Sequence, residues 1–511
     1  MRFASELVVV SALVVAGCDN TVDVTEVLPP LDAASVDADA GAWRMLVLAG
    51  PDQLVVPAPA AVTSDAYRAE LDALRSAQTR INAAQRRSID YWSSGGVLRW
   101  NQIQRELVAR FNLPPAPRDD GSYVAPDPEN PFADPQFPFA NPPYAARAYS
   151  YVSVAQYEAL KAAWYWKYLY NRPAPARTDG GITTVVPPSD LPSYPSEDAV
   201  LSGVTSEMLR LLFPAAVEEI TRRAAEQREA ALLSGRATAS DIAAGLALGR
   251  AVAAAVIARA SADGMRNAIG TPAQWSAFAD SAVARGEIAW ASQESPARPP
   301  MLPNFGQVRA WILTADQMNA EAPPPPPTTS SAEFRAELDE VKRTVDGLTR
   351  AQLAIALRWN DGAGTYTPPG HWNDIAAEYI RDVRLSEVRA ARAFALLNTA
   401  MHDAAVGCWG VKFRYFNPRP SQLDPSIKTV IGLPNFPAFP SGHSTFSAAA
   451  ADVLSYLFPD GSAGFAKMAE EAGISRMYGG IHYRSDIEQG QAHGKRIGAL
   501  VVQYAQHDGA H

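Results

Sequence analysis

The stretch Pro437-Ala-Phe-Pro-Ser-Gly-His-Ser-Thr-Phe-Ser-Ala-Ala-Ala-Ala-Asp-Val-Leu-Ser-Tyr-Leu-Phe-Pro459 can be laid without a gap on Pro192-Ser-Tyr-Pro-Ser-Glu-Asp-Ala-Val-Leu-Ser-Gly-Val-Thr-Ser-Glu-Met-Leu-Arg-Leu-Leu-Phe-Pro214, at an offset of 245 residues. The register persists on both sides. Ser240-Asp241-Ile242 falls on Ser485-Asp486-Ile487, Gly245 on Gly490, Gly249 on Gly494, and Trp164, Lys167 and Tyr170 on Trp409, Lys412 and Tyr415. Further upstream, Arg68-Ala-Glu-Leu-Asp72 matches Arg335-Ala-Glu-Leu-Asp339 at an offset of 267, and there Trp92 and Gly95 meet Trp359 and Gly362. The chain is an internal duplication. The two offsets differ by 22, so the first copy carries 22 extra residues, within the Pro- and Asp-rich stretch Phe111 to Ala145. That stretch reads as a long surface loop.

Apolar residues recur at three- and four-residue spacing over Thr205 to Phe213, Glu218 to Leu233, Asp241 to Ala258 and Phe446 to Leu457, and no run alternates with period two. The expected fold class is therefore all-α: two tandem helical bundles related by a pseudo-twofold.

The second copy collects the chemistry. Lys412, Arg419-Pro420, Pro440-Ser441-Gly442-His443, Ser475-Arg476, His482 and Asp486 put three cations, two histidines and a turn of small residues into 75 residues. Such a set suits a tetrahedral oxyanion: Arg offers a planar fork of donors, and a Ser-Gly step lets backbone amides approach an anion at a helix start. Two histidines can share the roles of nucleophile or ligand and of proton donor. In the first copy Glu197 replaces Gly442, Asp198 replaces His443, Ala231 replaces Arg476 and Ala237 replaces His482. All seven histidines lie after residue 370. The first copy therefore reads as a scaffold without histidine chemistry, with Lys167 and Arg172-Pro173 as remnants.

Lys-x6-Arg-Pro, Pro-Ser-Gly-His and Ser-Arg-x5-His-x3-Asp, in that order, resemble the three-part signature of the superfamily joining type-2 phosphatidic acid phosphatases (PAP2), bacterial acid phosphatases and vanadium-dependent haloperoxidases. The resemblance implies that Lys412, Arg419 and Arg476, with Ser441 and the Gly442 amide, bind the oxyanion. It implies that His482 either coordinates vanadium or attacks phosphorus, and that His443 acts as acid–base. If its segment is helical, Asp486 is placed to accept the second imidazole N–H of His482; otherwise it is a helix-start carboxylate. Trp409 and Phe436 stand where fungal vanadium chloroperoxidases carry an aromatic pair beside the halide, so they form a possible halide pocket; core packing accounts for them equally. The resemblance implies vanadate as cofactor for a haloperoxidase taking hydrogen peroxide and halide, and no cofactor for a phosphatase taking a phosphate ester through a phosphohistidine. A non-catalytic oxyanion-binding lipoprotein is the third reading. Duplication and length favour the haloperoxidase branch, whose soluble members carry two four-helix bundles. Gly364-Thr-Tyr-Thr-Pro-Pro-Gly-His-Trp-Asn373 also looks like bacterial relatives of that branch, with His371 either at an entrance or simply a solvated loop histidine. His402, His493, His507 and His511 are expected to be structural or exposed.

Composition sets the surroundings. A net charge of −9 without a basic stripe argues against a nucleic-acid partner. Arg2, the apolar run Leu7 to Ala16 and Val15-Ala16-Gly17-Cys18 resemble a lipoprotein export signal, with Cys18 as the only membrane attachment and a bacterial cell envelope as location. The apolar segment Ile242 to Ala260 is broken by Arg250 and reads as a packed helix rather than a span. Cys408 reads as a small buried residue. The expected organisation is a signal over 1–18, a leader over 19–60, a degenerate bundle over 61–320, a Pro-rich linker over 321–331 and the catalytic bundle over 332–511.

Overall fold

The computed structural model describes residues 28–123, 138–186 and 190–510. The export segment with Cys18, the first part of the leader and His511 lie outside the described residues. Among those described there is no strand. The principal helices of the first repeat are α1 (Asp65–Gln78), α2 (Ala83–Ser93), α3 (Gly96–Phe111), α4 (Pro142–Tyr170), α5 (Glu197–Leu212), α6 (Val217–Leu233) and α7 (Ala239–Ser261). The second repeat answers each in order: α8 (Ala332–Asp346), α9 (Arg350–Arg358), α10 (Thr367–Asp382), α11 (Glu387–Tyr415), α12 (Gly442–Leu457), α13 (Ser462–Tyr478) and α14 (Arg484–Ala505).

The matched residues explain the matched geometry. Ser196 and Ser441 cap α5 and α12, each accepting from the amide three residues on. The glycine pairs are needed where α7 crosses α5 and α14 crosses α12. A Cβ at Gly249 would run into the Val200 carbonyl, and one at Gly494 into that of Thr445. Helix α7, with its extension to Asn267, is long and apolar enough to cross a membrane by length and composition. In the fold its Gly245 and Gly249 face lies against α5.

The two 29-residue helices α4 and α11 pack on each other, and one continuous apolar core runs through both repeats. The halves are therefore joined along their longest helices and bury a common interior. Each central helix also carries a buried carboxylate that anchors an extended strap. Glu158 accepts from the amides of Leu46, Val47 and Leu48, and Asp403 accepts from those of Trp311, Ile312 and Leu313.

These straps shift the expected boundaries. The described part of the 19–60 leader is built into the first repeat, with Trp43 and Val56 buried, and three of its amides join Lys161 in satisfying the buried Glu158 carboxylate. Its counterpart around 301–313 belongs to the second repeat, so that repeat begins before the Pro323–Pro327 run, and the 321–331 linker falls inside it. The extra residues of the first copy lie between α3 and α4, over 112–141, where the second repeat needs only 383–386. The described part of this loop reaches across to the second repeat rather than standing free: Asn112 donates to the carbonyls of Gly362 and Thr365.

Candidate active site

The start of α12, the end of α13, the turn before α14 and the end of α11 converge, bringing together Lys412, Arg419, Ser441, Gly442, His443, Arg476, His482 and Asp486. Every one of the expected motif residues is in this cluster. His482, Arg476, Gly442 and His443 line a cavity of about 190 Å3, together with Trp409 and Phe436.

His482 is fixed at both nitrogens. Its Nδ1 lies 2.8 Å from Asp486 Oδ2, and Arg419 Nη1 lies 2.9 Å from its Nε2. Because a guanidinium only donates, Nε2 carries the lone pair and the proton sits on Nδ1, facing the carboxylate. Asp486 fills both roles expected as alternatives, since the same oxygen accepts from the Tyr483 amide at the start of α14.

The cations are buried and held by backbone carbonyls. Lys412 Nζ donates to Pro437 and Ala438, at 2.9 and 2.8 Å, and to Pro440. Arg419 donates to the carbonyls of Phe436 and Ile481, at 3.1 and 2.8 Å. Arg476 donates to Ser475 Oγ and to the Trp359 carbonyl. Burial lowers Lys412 below the usual lysine range and pushes Arg419 and Arg476 down to about 10. Both histidines are held well below the ordinary value, by burial first and then by the neighbouring cations. Burial raises Asp486. The cluster is thus a concentration of positive charge around neutral imidazoles, and an anion placed among them would relieve that repulsion. Ser441 Oγ is engaged as a helix cap. The Gly442 amide lies in the first turn of α12, where no intrahelical partner exists for it.

Among the described residues His443 Nε2 has no hydrogen-bond partner, and it faces Asp361 Oδ2 at 3.7 Å. Asp361 in turn accepts from His371 Nδ1 at 3.1 Å, and His371 stacks on Trp359 with ring centres 4.4 Å apart. Asp361 is not marked by the motif, and His371, expected at an entrance or solvated on a loop, lies on α10 behind Asp361. A signal existed: in the 267 register Asp361 falls on Ser94, so a carboxylate appears only in the copy that has histidines.

Trp409 and Phe436 form a pair with ring centres 5.0 Å apart, and Lys412 Nζ lies 5.0 Å from the centre of the Phe436 ring. Trp409 also has a structural duty. Its Nε1 donates to the Met301 carbonyl as Trp164 Nε1 donates to that of Val36, so the ring ties a strap to a central helix in each repeat. His402 and His493 are buried, with Ser150 Oγ and the Glu321 carbonyl as neighbours, and Cys408 is buried beside Pro440.

In the first repeat the same positions hold a closed charge balance. Lys167 pairs with Glu197 at 2.7 Å and Arg172 with Asp241, while Ala237 stands where His482 would be. The side chain that replaces Gly442 brings its own carboxylate to Lys167, the match of Lys412.

Residues 392–509 match the family model of the PAP2 superfamily. The chain is 30% identical over 162 residues to the vanadium chloroperoxidase of Curvularia inaequalis, a stretch covering 24% of this chain and 27% of that protein. The match therefore spans about a quarter of the curated relative. Among solved structures, the first bacterial vanadium-dependent iodoperoxidase superposes with a TM-score of 0.55 at 25% identity, covering 71% of this chain and 90% of that one. A holo-type bacterial vanadium-dependent chloroperoxidase superposes at 0.52 and 14% identity, over 75% and 96%, and shows a shared fold. The likeness to the PAP2 superfamily thus lies by sequence in residues 392–509, and the likeness to the two haloperoxidase structures is one of fold across both repeats.

Proposed function

We propose that the second repeat is a vanadium-dependent haloperoxidase and the first its scaffold. The observation that carries this reading is the presentation of His482: Asp486 fixes the proton on Nδ1, so Nε2 offers its lone pair inside a cage of three buried cations. Vanadate fits such a site on chemical grounds, since imidazole nitrogen suits transition metals and the cations match the charge of an oxyanion. Lys412, Arg419, Arg476 and the Gly442 amide would hold its oxygens, and His482 would ligate it. When bound, vanadate supplies a Lewis-acidic centre that activates hydrogen peroxide toward a halide.

The protein's own residues do the rest. Asp486 keeps His482 in one tautomer and one orientation, as an outer-shell carboxylate does for a ligating histidine. Arg419, turning Nη1 from Nε2 toward a bound oxyanion, would leave that lone pair free. His443, neutral by burial and unpartnered at Nε2, is placed to take a proton from peroxide and return it to the departing oxygen. Asp361 stands behind that nitrogen and stabilises the imidazolium as it forms. The buried cations provide preorganised positive charge, and only the Arg419 Nη1 contact to His482 would have to be given up.

The same residues serve a phosphatase in which His482 attacks phosphorus. What favours the haloperoxidase is the pair of bundles shared over nine-tenths of the bacterial iodoperoxidase. A paired assay on one purified sample decides: bromide- and peroxide-dependent bromination of a dye after vanadate loading, against hydrolysis of a phosphate ester without it. Hydrolysis that vanadate inhibits, with no bromination, overturns the proposal. We also propose export as a lipoprotein through Cys18, which mass spectrometry of the mature N-terminus tests; an intact Met1 overturns that reading.

A further inference from the structure

Asp361 is a buried carboxylate with two competing partners. His443 Nε2 lies 3.7 Å from its Oδ2, and its charge also acts favourably on Arg476, a cation of the oxyanion cage, whose Nη2 is held by the carbonyl of Trp359 two residues back along the chain. An arginine offers a carboxylate a two-pronged, permanently charged partner, which a neutral imidazole does not. Left free, the carboxylate is therefore expected to close on Arg476. The first repeat shows what such closure looks like, for there Glu197 has closed on Lys167 at 2.7 Å.

In the second repeat Asp361 has stayed with the histidines. The backbone around it is fixed from the first repeat, since Asn112 donates to the carbonyls of Gly362 and Thr365, and the Tyr149 hydroxyl to that of Tyr366. Asp361 itself has a φ of 45°, in the left-handed region that few residues besides glycine adopt. What remains to be set is the direction of the carboxylate. Among the described residues one group donates a hydrogen bond to it: His371 Nδ1, 3.1 Å from Oδ1 and 3.3 Å from Oδ2. Because a carboxylate only accepts, that nitrogen carries the proton. The His371 ring is itself held, stacked on Trp359 with centres 4.4 Å apart and edge-on to Tyr366. Trp359 is held in turn, its Nε1 donating to Glu471 at 2.9 Å. The first copy has neither partner: Ser94 stands at the position of Asp361, and no histidine exists there.

We infer that His371 is a positioning residue that tethers the Asp361 carboxylate on the His443 side, off Arg476, and so keeps the cage positively charged for an oxyanion. This role rests on the oxyanion reading of the second repeat and is the same for a peroxidase or a phosphatase. His371 acts through Asp361 rather than by touching the anion.

Inorganic phosphate and vanadate, titrated separately into the full chain by calorimetry, are the probes. His371→Phe keeps a ring against Trp359 without the donor and His371→Leu removes both, so a folding defect in one leaves the other to decide. Each is expected to weaken the binding of both anions by about tenfold. His371→Asn, whose amide nitrogen can stand where Nδ1 stood, should stay within about threefold of the wild type. The decisive arm is Asp361→Asn: with no charge left to tether, adding His371→Phe should change nothing further. A purely structural role would carry the loss into that background, and this result, or wild-type affinity in both His371→Phe and His371→Leu, overturns the tether. A crystal structure of His371→Phe is expected to show the Asp361 carboxylate on Arg476; a carboxylate unmoved beside His443 overturns the inference. If the wild type binds neither anion, the oxyanion reading of the site falls, and the carboxylate's position in that crystal alone decides the tether.

Discussion

Lys167 and Lys412 sit on equivalent turns of equivalent helices, each with its ammonium on the carbonyl of the matching proline, Pro192 or Pro437. Around Lys412 two further buried cations gather, and among the described residues no carboxylate side chain pairs with the ammonium. Around Lys167 the Glu197 carboxylate has moved in, and Arg172 is paired with Asp241. Asp241 and Asp486 are the same residue in the duplication. In one repeat it orients a histidine, and in the other, with alanine in that histidine's place, it neutralises an arginine. The scaffold tolerates both arrangements because the backbone contacts are common to them: Ser441 donates its amide to the Asp486 carbonyl as Ser196 does to that of Asp241. What separates a site from a scaffold here is charge balance. A buried cation needs an anion; the first repeat supplies it in the chain, and on the proposed function the second takes it from a ligand.

That contrast breaks most sharply at His482. His482→Ala should abolish turnover, a loss of about 10³-fold or more when nucleophile or ligand is removed; substantial turnover with normal vanadate content would remove His482 from its role. At the next level, His443→Ala should cost about 10²- to 10⁴-fold, while Asp198→Ala, the matching change in the first repeat, should leave turnover per folded molecule nearly unchanged. Steady-state assays at equal vanadate loading and equal folded fraction compare the two, and equal losses would give the first repeat a part in the chemistry.

The internal ion pair gives a change of the opposite kind, in stability without activity. Glu197→Gln leaves Lys167 buried and unpaired and should destabilise the fold by about 3–5 kcal/mol, read from urea unfolding, with activity per folded molecule intact. Asp486→Asn should reduce vanadate affinity or turnover by about 10- to 100-fold, because His482 loses its orienting acceptor but keeps its place.

The smallest effect is a pH dependence in the first repeat. Burial, and then the Glu197 charge, push Asp198 up to about 6. A carboxyl raised on folding binds its proton more tightly in the native state, so the stability it contributes falls as pH rises from about 4 through about 6. Asp198→Asn should therefore gain stability relative to wild type across that window and hold the gain above it; thermal melts at pH 4 and pH 7 measure it.

Much of this was legible in the sequence because the duplication is a long-range statement. A gapless match across Pro192–Pro214 and Pro437–Pro459 fixed equivalent helices, and the change from His443 to Asp198 separated the copy that holds the motif histidines from the one that lacks them. The glycine pairs were visible as matches, but their reason, the approach of one helix backbone to another, is not a local property. The straps were hidden, since residues 36–48 and 301–313 share structure through hydrogen bonds to Glu158 and Asp403 rather than through alternating or helical patterns. Asp361 escaped for a similar reason: it reaches His443 across 82 positions of chain, and only its mismatch with Ser94 marked it. The loop over 112–141 read as surface because Pro and Asp mark solvent-facing turns, and nothing local announces that its ends reach across to the other repeat.

The most direct test of the account is the stoichiometry of vanadate binding to the purified full chain by isothermal titration calorimetry. One equivalent per chain is predicted, lost in His482→Ala and retained in Asp198→Ala. Two equivalents, or one that survives His482→Ala unchanged, would contradict it.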